Sequence, residues 1–341
     1  MEPGKNRQIL LAARPVGMIK ETDFTRREVP VPKPQAGEYL VRNIYLSLDP
    51  TIRGWMNATD TYLPAIKIGH VMRGGGVGVV VESQHPQYAA GDIVFGMIGW
   101  QDFFLGTGHD AMPMMVLPQG VPLTAALSVL GITGMTAYFG LLDVGQPKAG
   151  ETVVVSGAAG ATGSVAGQIA KIKGCHVVGI AGSPEKCKWV TDDLGFDACI
   201  NYKTENIAAR LKQTCPKGID VYFDNVGGDI LDAVLAQINL RARIVLCGAI
   251  SMYNATDLPP GPKNYVSLII HRSRMEGFII TDFLPRFPEA FMQISQWIGE
   301  RKIKYAVDVV QGLENATTAI NRLFTGANTG KLLVQISEEP K

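Results

Sequence analysis

The chain has 341 residues, more than one core ordinarily organises, so two domains are expected at ~150 residues each. Its 32 Lys and Arg against 31 Asp and Glu leave a net charge of +1, which gives nucleic acid or anionic lipid no electrostatic hold. Hydrophobic residues at 46% against 18% charged exclude disorder, and the 38 Gly and 20 Pro form neither a repeat nor a low-complexity block.

The N-terminal stretch Met1 to Gly17 carries Lys5, Arg7 and Arg14 but no apolar run, so no secretory signal is read there and a cytoplasmic location is expected. The first ~125 residues read as short strands between turns: Tyr39–Ser47, Gly76–Glu82 and Asp92–Ile98 alternate or run β-branched between Gly and Pro. Pro30, Pro32 and Pro34 make an extended connector. Low helical content suggests a partly open antiparallel barrel. No charge occurs from Ala111 to Leu142, and Val121–Leu142 is long enough to span a bilayer. Pro122, Gly131, Thr133, Gly134, Thr136 and Gly140 interrupt it, and no basic cluster flanks it. A buried helix at a domain junction, with no membrane partner, is the expectation.

Beyond Gly150 the pattern changes. Strand Thr152–Ser156, helix Ser164–Lys173, strand His176–Ala181, helical Pro184–Leu194, strand Ala198–Ile200 and helix Ile207–Thr214 follow one another. Strand Val221–Asp224, helix Ile230–Gln237 and strands Arg243–Cys247 and Glu276–Ile280 continue the series. Such alternation predicts right-handed βαβ units and a doubly wound parallel sheet. The tail reads helix Phe287–Glu300, strand Ala306–Gln311, helix Ala316–Phe324 and strand Lys331–Ile336.

Between the first of these strands and its helix lies Ser156-Gly157-Ala158-Ala159-Gly160-Ala161-Thr162-Gly163-Ser164. Small residues there let backbone approach a pyrophosphate, and the helix N-terminus offers N–H groups and a positive dipole end. The spacing is Gly-x-x-Gly-x-x-Gly, not the usual G-x-G-x-x-G, so the strand before it and the alternation after it carry the reading. An NAD site places an acid ~20 residues beyond the loop, on the ribose 2′-hydroxyl. That position falls near Gly182, where Ala181-Gly182-Ser183-Pro184-Glu185-Lys186 has no acid at the strand tip. Ser183 and Lys186 suit a 2′-phosphate, and Glu185, one residue into a helix, complements the dipole. NADP(H) is therefore expected.

Metal chemistry finds no ligands. Gly69-His70-Val71 keeps the Gly-His of a zinc alcohol dehydrogenase without its acid, and no cysteine precedes Cys175. The histidines (His70, His85, His109, His176, His271) have no partner at ligand spacing. The cysteines Cys175, Cys187, Cys199, Cys215 and Cys247 are odd in number and form no C-x-x-C, so reduced thiols are expected. A nucleophile elbow is disfavoured because Val154 stands where its first Gly belongs.

Several segments together resemble one family across nearly the whole chain. They are Leu48-Asp49-Pro50, Thr136–Leu142, Ala158–Ser164 continuing through Gly167–Lys171, Asn201-Tyr202-Lys203, Tyr222–Gly228, Cys247–Asn254, Asn328 and Gly330-Lys331. The chain resembles the zinc-independent medium-chain dehydrogenase/reductase superfamily. Within it, the chain is similar to the prostaglandin reductase and bacterial curcumin reductase group of NADPH-dependent alkenal/one reductases. The resemblance implies a GroES-like barrel domain of residues 1–125 and 306–341, and a Rossmann NADP(H) domain of residues 126–305. It also implies a homodimer.

The resemblance further implies residue roles. Gly160, Ala161, Thr162, Gly163 and Ser164 would hold the pyrophosphate, and Gly182, Lys186 and Tyr202 the 2′-phosphate end. Asn225 would lie near the cofactor, with Cys247, Gly248, Ala249, Ile250, Ser251 and Tyr253 along its nicotinamide half. Phe278, Ile279, Ile280 and Asn328 would complete the site. Such an enzyme reduces the C=C bond of an enone or enal, so the carbonyl oxygen needs a donor as charge develops. Two donors fit, Tyr253 or a nicotinamide ribose hydroxyl. The group often has Tyr where Thr51 stands, and Ile270 stands where mammalian members have a second tyrosine, with Tyr265 five residues away. Thr51, Trp55 and Ile270 are thus expected at the substrate, in an apolar pocket to which Met56 contributes; without that pocket, Trp55 and Met56 would be free surface side chains. A quinone reductase of the same class, or an inactive NADPH-binding structural or sensor protein, would share the cofactor residues.

Overall fold

The computed structural model describes residues 4–108 and 114–340, which leaves His109 and the Ala111 end of the uncharged stretch outside the described residues. In chain order the strands are β1 (Lys5–Leu11), β2 (Phe24–Pro30), β3 (Tyr39–Ser47), β4 (Gly76–Ser83), β5 (Ile93–Gly96), β6 (Phe103–Gly106) and β7 (Met115–Val116). Then come β8 (Thr152–Ser156), β9 (His176–Ala181), β10 (Ala198–Asn201), β11 (Ile219–Asp224), β12 (Ile238–Leu246) and β13 (Arg274–Gly277), and finally β14 (Val307–Gln311) and β15 (Lys331–Gln335). The chain divides into two compact units. One runs to Leu127 and resumes at Val307, and the other is Ser128–Ala306.

The discontinuous unit is built on a sheet of order β14-β15-β3-β4-β5-β7, with β6 also on β3. Its pairings are antiparallel except β14 with β15. β3 is buried almost end to end, apolar but for Arg42, Asn43 and Ser47. The sheet curls where register shifts interrupt the β3–β4 pairing. Gly76 and Gly78 permit this, since a Cβ on either would lie 2.6 Å from a β3 carbonyl oxygen. Leu46, Leu48, Ile52, Trp55, Met56, Met72, Trp100, Leu332 and Val334 fill the core beneath. The β1–β2 pair was not foreseen, because β2 (Phe-Thr-Arg-Arg-Glu-Val-Pro) is largely exposed and carries little apolar alternation.

One buried cation organises the end of β3. The Lys331 ammonium, 3% exposed, donates to the Leu48 carbonyl at 2.9 Å and pairs with the Asp49 carboxylate, which also accepts from the Ser47 hydroxyl. Removing the cation leaves that carboxylate and carbonyl short of their donor. Lys331→Met is therefore expected to destabilise the protein by about 3 kcal/mol, read as a lower urea midpoint.

The continuous unit carries a parallel sheet of order β10-β9-β8-β11-β12-β13. Numbered from its own first strand this is 3-2-1-4-5-6, and the strand order reverses between β8 and β11, where such sheets open a crevice. Val154, Val178, Ile200, Tyr222, Ile244 and the inward faces of the helices Ile207–Thr214 and Gly228–Leu235 form one core cluster.

Four sequence expectations are corrected here. The uncharged stretch is not one helix but Leu123–Ala126, Ile132–Phe139 and a wider helical turn Gly140–Gly145. Gly134, in the first turn of the second segment, lets the chain fold back closely on the loop before it, since a Cβ there would fall 1.7 Å from the Val129 oxygen. Among the described residues no helix is long and apolar enough to cross a membrane. The strand expected at Glu276–Ile280 is shifted to Arg274–Gly277, because its partner β12 ends at Leu246 and offers nothing further to pair with. Pro184–Leu194 is a helix only to Lys188 before a wider turn, and Ala316–Phe324 divides into Ala316–Ala319 and Asn321–Thr325.

An ion pair braces the start of β8. Arg243 donates to Glu151 and to the Gly145 carbonyl, and the Lys148 N–H adds a bond to the same carboxylate at 2.8 Å. Burial pushes the Glu151 carboxyl up, yet these donors and the charges of Arg243 and Lys148 outweigh it and hold the carboxyl below its ordinary range. Its contribution is thus full above the unfolded value of ~4.3 and is lost as pH falls through the folded one. Urea midpoints against pH are expected to show a shallower acid limb for Glu151→Gln, with a loss of about 1–2 kcal/mol at neutral pH.

Candidate active site

The strand β8, Thr-Val-Val-Val-Ser, is fully buried and ends at the loop. Gly157 turns the chain at φ +59°, Gly160 caps the helix Ala161–Ile172, and the helix runs on beneath the sheet. This turn folds onto itself only without side chains. A Cβ on Gly163 would lie 2.3 Å from the Gly157 oxygen, and one on Gly160 3.1 Å from it. The first turn of such a helix leaves backbone N–H groups without intrahelical acceptors, aimed where a pyrophosphate sits in this kind of turn. Ser164 is 2% exposed, with its hydroxyl 3.4 Å from the Ala161 carbonyl, so its side chain faces the helix.

At the tip of β9, Gly182 meets Tyr202. A Cβ on Gly182 would lie 2.9 Å from the phenol ring, so the missing side chain lets the ring close against the strand end. Tyr202 is 41% exposed, and its backbone N–H bonds the Ala181 carbonyl at 3.1 Å. Ser183 caps the short helix Pro184–Lys188 by accepting from the Lys186 N–H at 3.2 Å. Glu185 lies in the first turn, and hydrogen bonds from its own backbone and from Ser183 hold its carboxyl below the ordinary range. Lys186 and Tyr202, with no acid at the strand tip between them, suit a 2′-phosphate better than a bare ribose diol, which a carboxylate there would bind.

Where the strand order reverses, one carboxylate gathers three strand ends. Asp224 Oδ1 accepts from the Ser156 hydroxyl at 3.0 Å, the Tyr222 phenol at 2.8 Å, and the Val226 and Gly227 N–H groups at 2.9 Å each. Its backbone carbonyl accepts from the Cys247 and Gly248 N–H groups. Burial pushes this carboxyl upward against those four hydrogen bonds. Asn225 is fixed alongside, its amide donating to the Ser156 carbonyl at 2.7 Å.

The segment Cys247–Tyr253 is tied to this hub. Ile250 N–H bonds the Asn225 carbonyl, and Ser251 bonds the Val226 carbonyl through both its N–H and its hydroxyl. Tyr253 turns back so that its phenol oxygen accepts from the Ala249 N–H at 3.2 Å. That bond uses the phenol oxygen as an acceptor only, so the hydroxyl keeps its proton for donation. Burial, opposed by that backbone bond and aided by Cys247 and Asp224, raises the phenol above its ordinary value. Phe278 packs against Gly140, where a Cβ would fall 2.4 Å from the ring, and Ile279 leads into the turn Ile280–Arg286. Ile270, by contrast, ends the short helix Val266–Ile270 and stands 65% exposed beside Ile269.

The remaining expected residues lie in the discontinuous unit. Thr51 opens the short helix Thr51–Trp55, and its hydroxyl is 2.6 Å from that of Tyr62. Trp55 is 6% exposed, with Arg73 5.4 Å over its ring and Tyr62 edge-on at 6.3 Å. Met56 is fully buried, so neither is a free surface side chain. Asn328 is buried and donates to the Gly330 carbonyl beside Lys331. Sequence reasoning passed over Tyr62, Asp224 as a hub, and Ser156 as its partner. Asp-Asn after a buried strand, paired with a Ser ending another, was the available signal.

Residues 7–114 match the family described as the N-terminal domain of oxidoreductase, and residues 161–299 the one described as zinc-binding dehydrogenase. The second description does not extend to ligands here. No cysteine precedes Cys175, and the described residues contain no group of three His, Cys, Asp or Glu placed to hold a metal. The chain is 46% identical to the NADPH-dependent curcumin reductase of Escherichia coli (strain K12), over 98% of this chain and 97% of that one. It is 41% identical to the NADP(+)-dependent 2-alkenal reductase of Nicotiana tabacum, over 99% of both. The structure of CurA from Vibrio vulnificus in complex with NADPH superposes with a TM-score of 0.93 at 45% identity, over 98% of this chain and 100% of that one. With a GroES-like barrel and a Rossmann sheet each matched, the chain belongs to the zinc-independent medium-chain dehydrogenase/reductase superfamily, in its curcumin and alkenal reductase group of NADP-dependent oxidoreductases.

Proposed function

We propose that this protein is an NADPH-dependent reductase of the C=C bond of α,β-unsaturated ketones and aldehydes. The observation that carries the reading is the pairing of two features in one unit: a phosphate turn with no acid at the following strand tip, and a phenol held beside the sheet crevice. Relatives at 46% and 41% identity named for curcumin and 2-alkenal reduction support it.

The residues divide the work. Backbone N–H groups of Ala161, Thr162 and Gly163 hold the pyrophosphate, in a turn closed by the Gly160 N–H on the Gly157 carbonyl and the Ser164 N–H on the Gly160 carbonyl, and Gly182, Lys186 and Tyr202 receive the 2′-phosphate. Asn225 and Cys247, Gly248, Ala249, Ile250, Ser251 and Tyr253 flank the nicotinamide half, completed by Phe278, Ile279, Ile280 and Asn328. NADPH, once bound, supplies the hydride that an enone or enal accepts at its β-carbon. Tyr253 donates its proton toward the carbonyl oxygen, where negative charge gathers, and so favours protonation at the α-carbon. Thr51, Trp55 and Ile270 are assigned to the substrate. With Thr51 and Ile270 where prostaglandin reductases have tyrosines, no eicosanoid specificity is proposed.

The barrel residues 1–125 and 306–341 serve the substrate and 126–305 the cofactor. A cytoplasmic homodimer is also proposed: β13 ends the parallel sheet with an open edge, and Leu240, Val266 and Ile269 stand exposed in the same unit. Steady-state rates with a small enone, curcumin and a quinone test the activity. Turnover of the enone and curcumin is expected, and turnover of the quinone alone would contradict it.

A further inference from the structure

Among the five cysteines, two face each other. Cys187 lies on the helix Pro184–Lys188, directly after Lys186, and Cys199 lies on β10, three residues before Tyr202. Their sulfurs are 2.9 Å apart, with the Cys199 thiol donating to the Cys187 sulfur, and both residues are only half-buried. The other three are different. Burial pushes the Cys175 and Cys215 thiols up to about 11 and Cys247 up to about 12, and none has a second sulfur as partner. The Cys187 thiol is instead lowered by the hydrogen bond from Cys199, against the effect of burial.

We propose that Cys187 and Cys199 form a reversible dithiol–disulfide site that responds to hydroperoxides and, when oxidised, weakens recognition of the NADPH 2′-phosphate. The chemistry balances in two steps. The Cys187 thiolate attacks one peroxide oxygen, an S–O bond forms, the O–O bond breaks, and the departing hydroxide takes a proton to leave as water. Cys187, oxidised by two electrons, is then a sulfenic acid. The Cys199 sulfur attacks it, the S–S bond forms, the S–O bond breaks, and the hydroxide leaves as water with the proton Cys199 gives up. The sum is two thiols and one hydrogen peroxide going to one disulfide and two waters.

The link to the cofactor is mechanical. A disulfide holds its sulfurs at ~2.05 Å, so closing the pair draws the short helix and β10 together. Lys186 precedes Cys187 on the short helix and Tyr202 follows β10, which carries Cys199, so the two residues assigned to the 2′-phosphate shift relative to each other. This consequence rests on the NADPH reading above, whereas formation of the disulfide does not.

The test treats the full-length enzyme with hydrogen peroxide, maps its peptides without reductant, and measures KM for NADPH and for NADH before and after. A Cys187–Cys199 crosslink is expected, with KM for NADPH raised about tenfold and KM for NADH unchanged. Dithiothreitol should restore the original value, and both Cys199→Ser and Cys187→Ser should resist the treatment. Two free thiols after peroxide, or a crosslink that leaves KM for NADPH unchanged or alters both cofactors alike, would overturn the proposal. Lys186→Glu in the reduced enzyme separates the two readings. Equal loss of NADPH and NADH there would remove the 2′-phosphate assignment while leaving the mapped crosslink as its own result.

Discussion

Replacing Tyr253 by Phe is expected to lower kcat for an enone about 10²-fold while KM for NADPH changes little. The substitution keeps the ring and removes only the hydroxyl. That hydroxyl accepts from the Ala249 N–H at 3.2 Å, which leaves its proton to donate. A donor fixed before reaction pays no reorganisation as charge develops on the carbonyl oxygen, and losing one such donor typically costs 10²–10³ in rate. Burial raises the phenol above its ordinary value, so it stays protonated through neutral pH and kcat should be flat there. Stopped-flow and steady-state rates with a small enone check both statements. An unchanged kcat would mean that the ribose hydroxyl alone serves the carbonyl.

Lys186→Glu should raise KM for NADPH about 10²-fold and leave NADH within about twofold. On the proposed assignment the change reverses a charge at a group of about two negative charges, and it does so on a helix whose cap, Ser183, is untouched. NADH has no phosphate for the new carboxylate to repel. Parallel titrations with the two cofactors, followed by nicotinamide fluorescence, give the answer directly. Equal weakening of both would show that residue 186 acts on the helix and not on the phosphate.

The parallel sheet was legible because β8, β9 and β11 are continuous apolar runs, each followed by a helix with its own start signal. The nucleotide turn was legible for a related reason: Gly157 turns the chain at positive φ, and Gly160 and Gly163 stand where a Cβ would press on the Gly157 carbonyl. Polar, short-range elements were harder to see. β2 is charged and exposed, and the helix Thr51–Trp55 is too short for periodicity to register. The Asp224 hub and the Lys331–Asp49 pair depend on residues 68 and 282 positions apart, which no local pattern brings together. The same holds for Tyr62 beside Thr51, and for the two sulfurs, which lie on different elements. Residue identity marked these positions; only the fold supplied their partners.

Central to the account is that this chain guides hydride to the β-carbon of the substrate, not to its carbonyl carbon. Incubating the enzyme with a small enone and NADPH deuterated at C4, prepared as each of the two epimers, measures this in one product analysis. The account predicts a saturated ketone with deuterium at the β-carbon from one epimer only, and a solvent-derived hydrogen at the α-carbon. An allylic alcohol carrying deuterium at the former carbonyl carbon, or no deuterium in any product across a broad panel of enones, would contradict it.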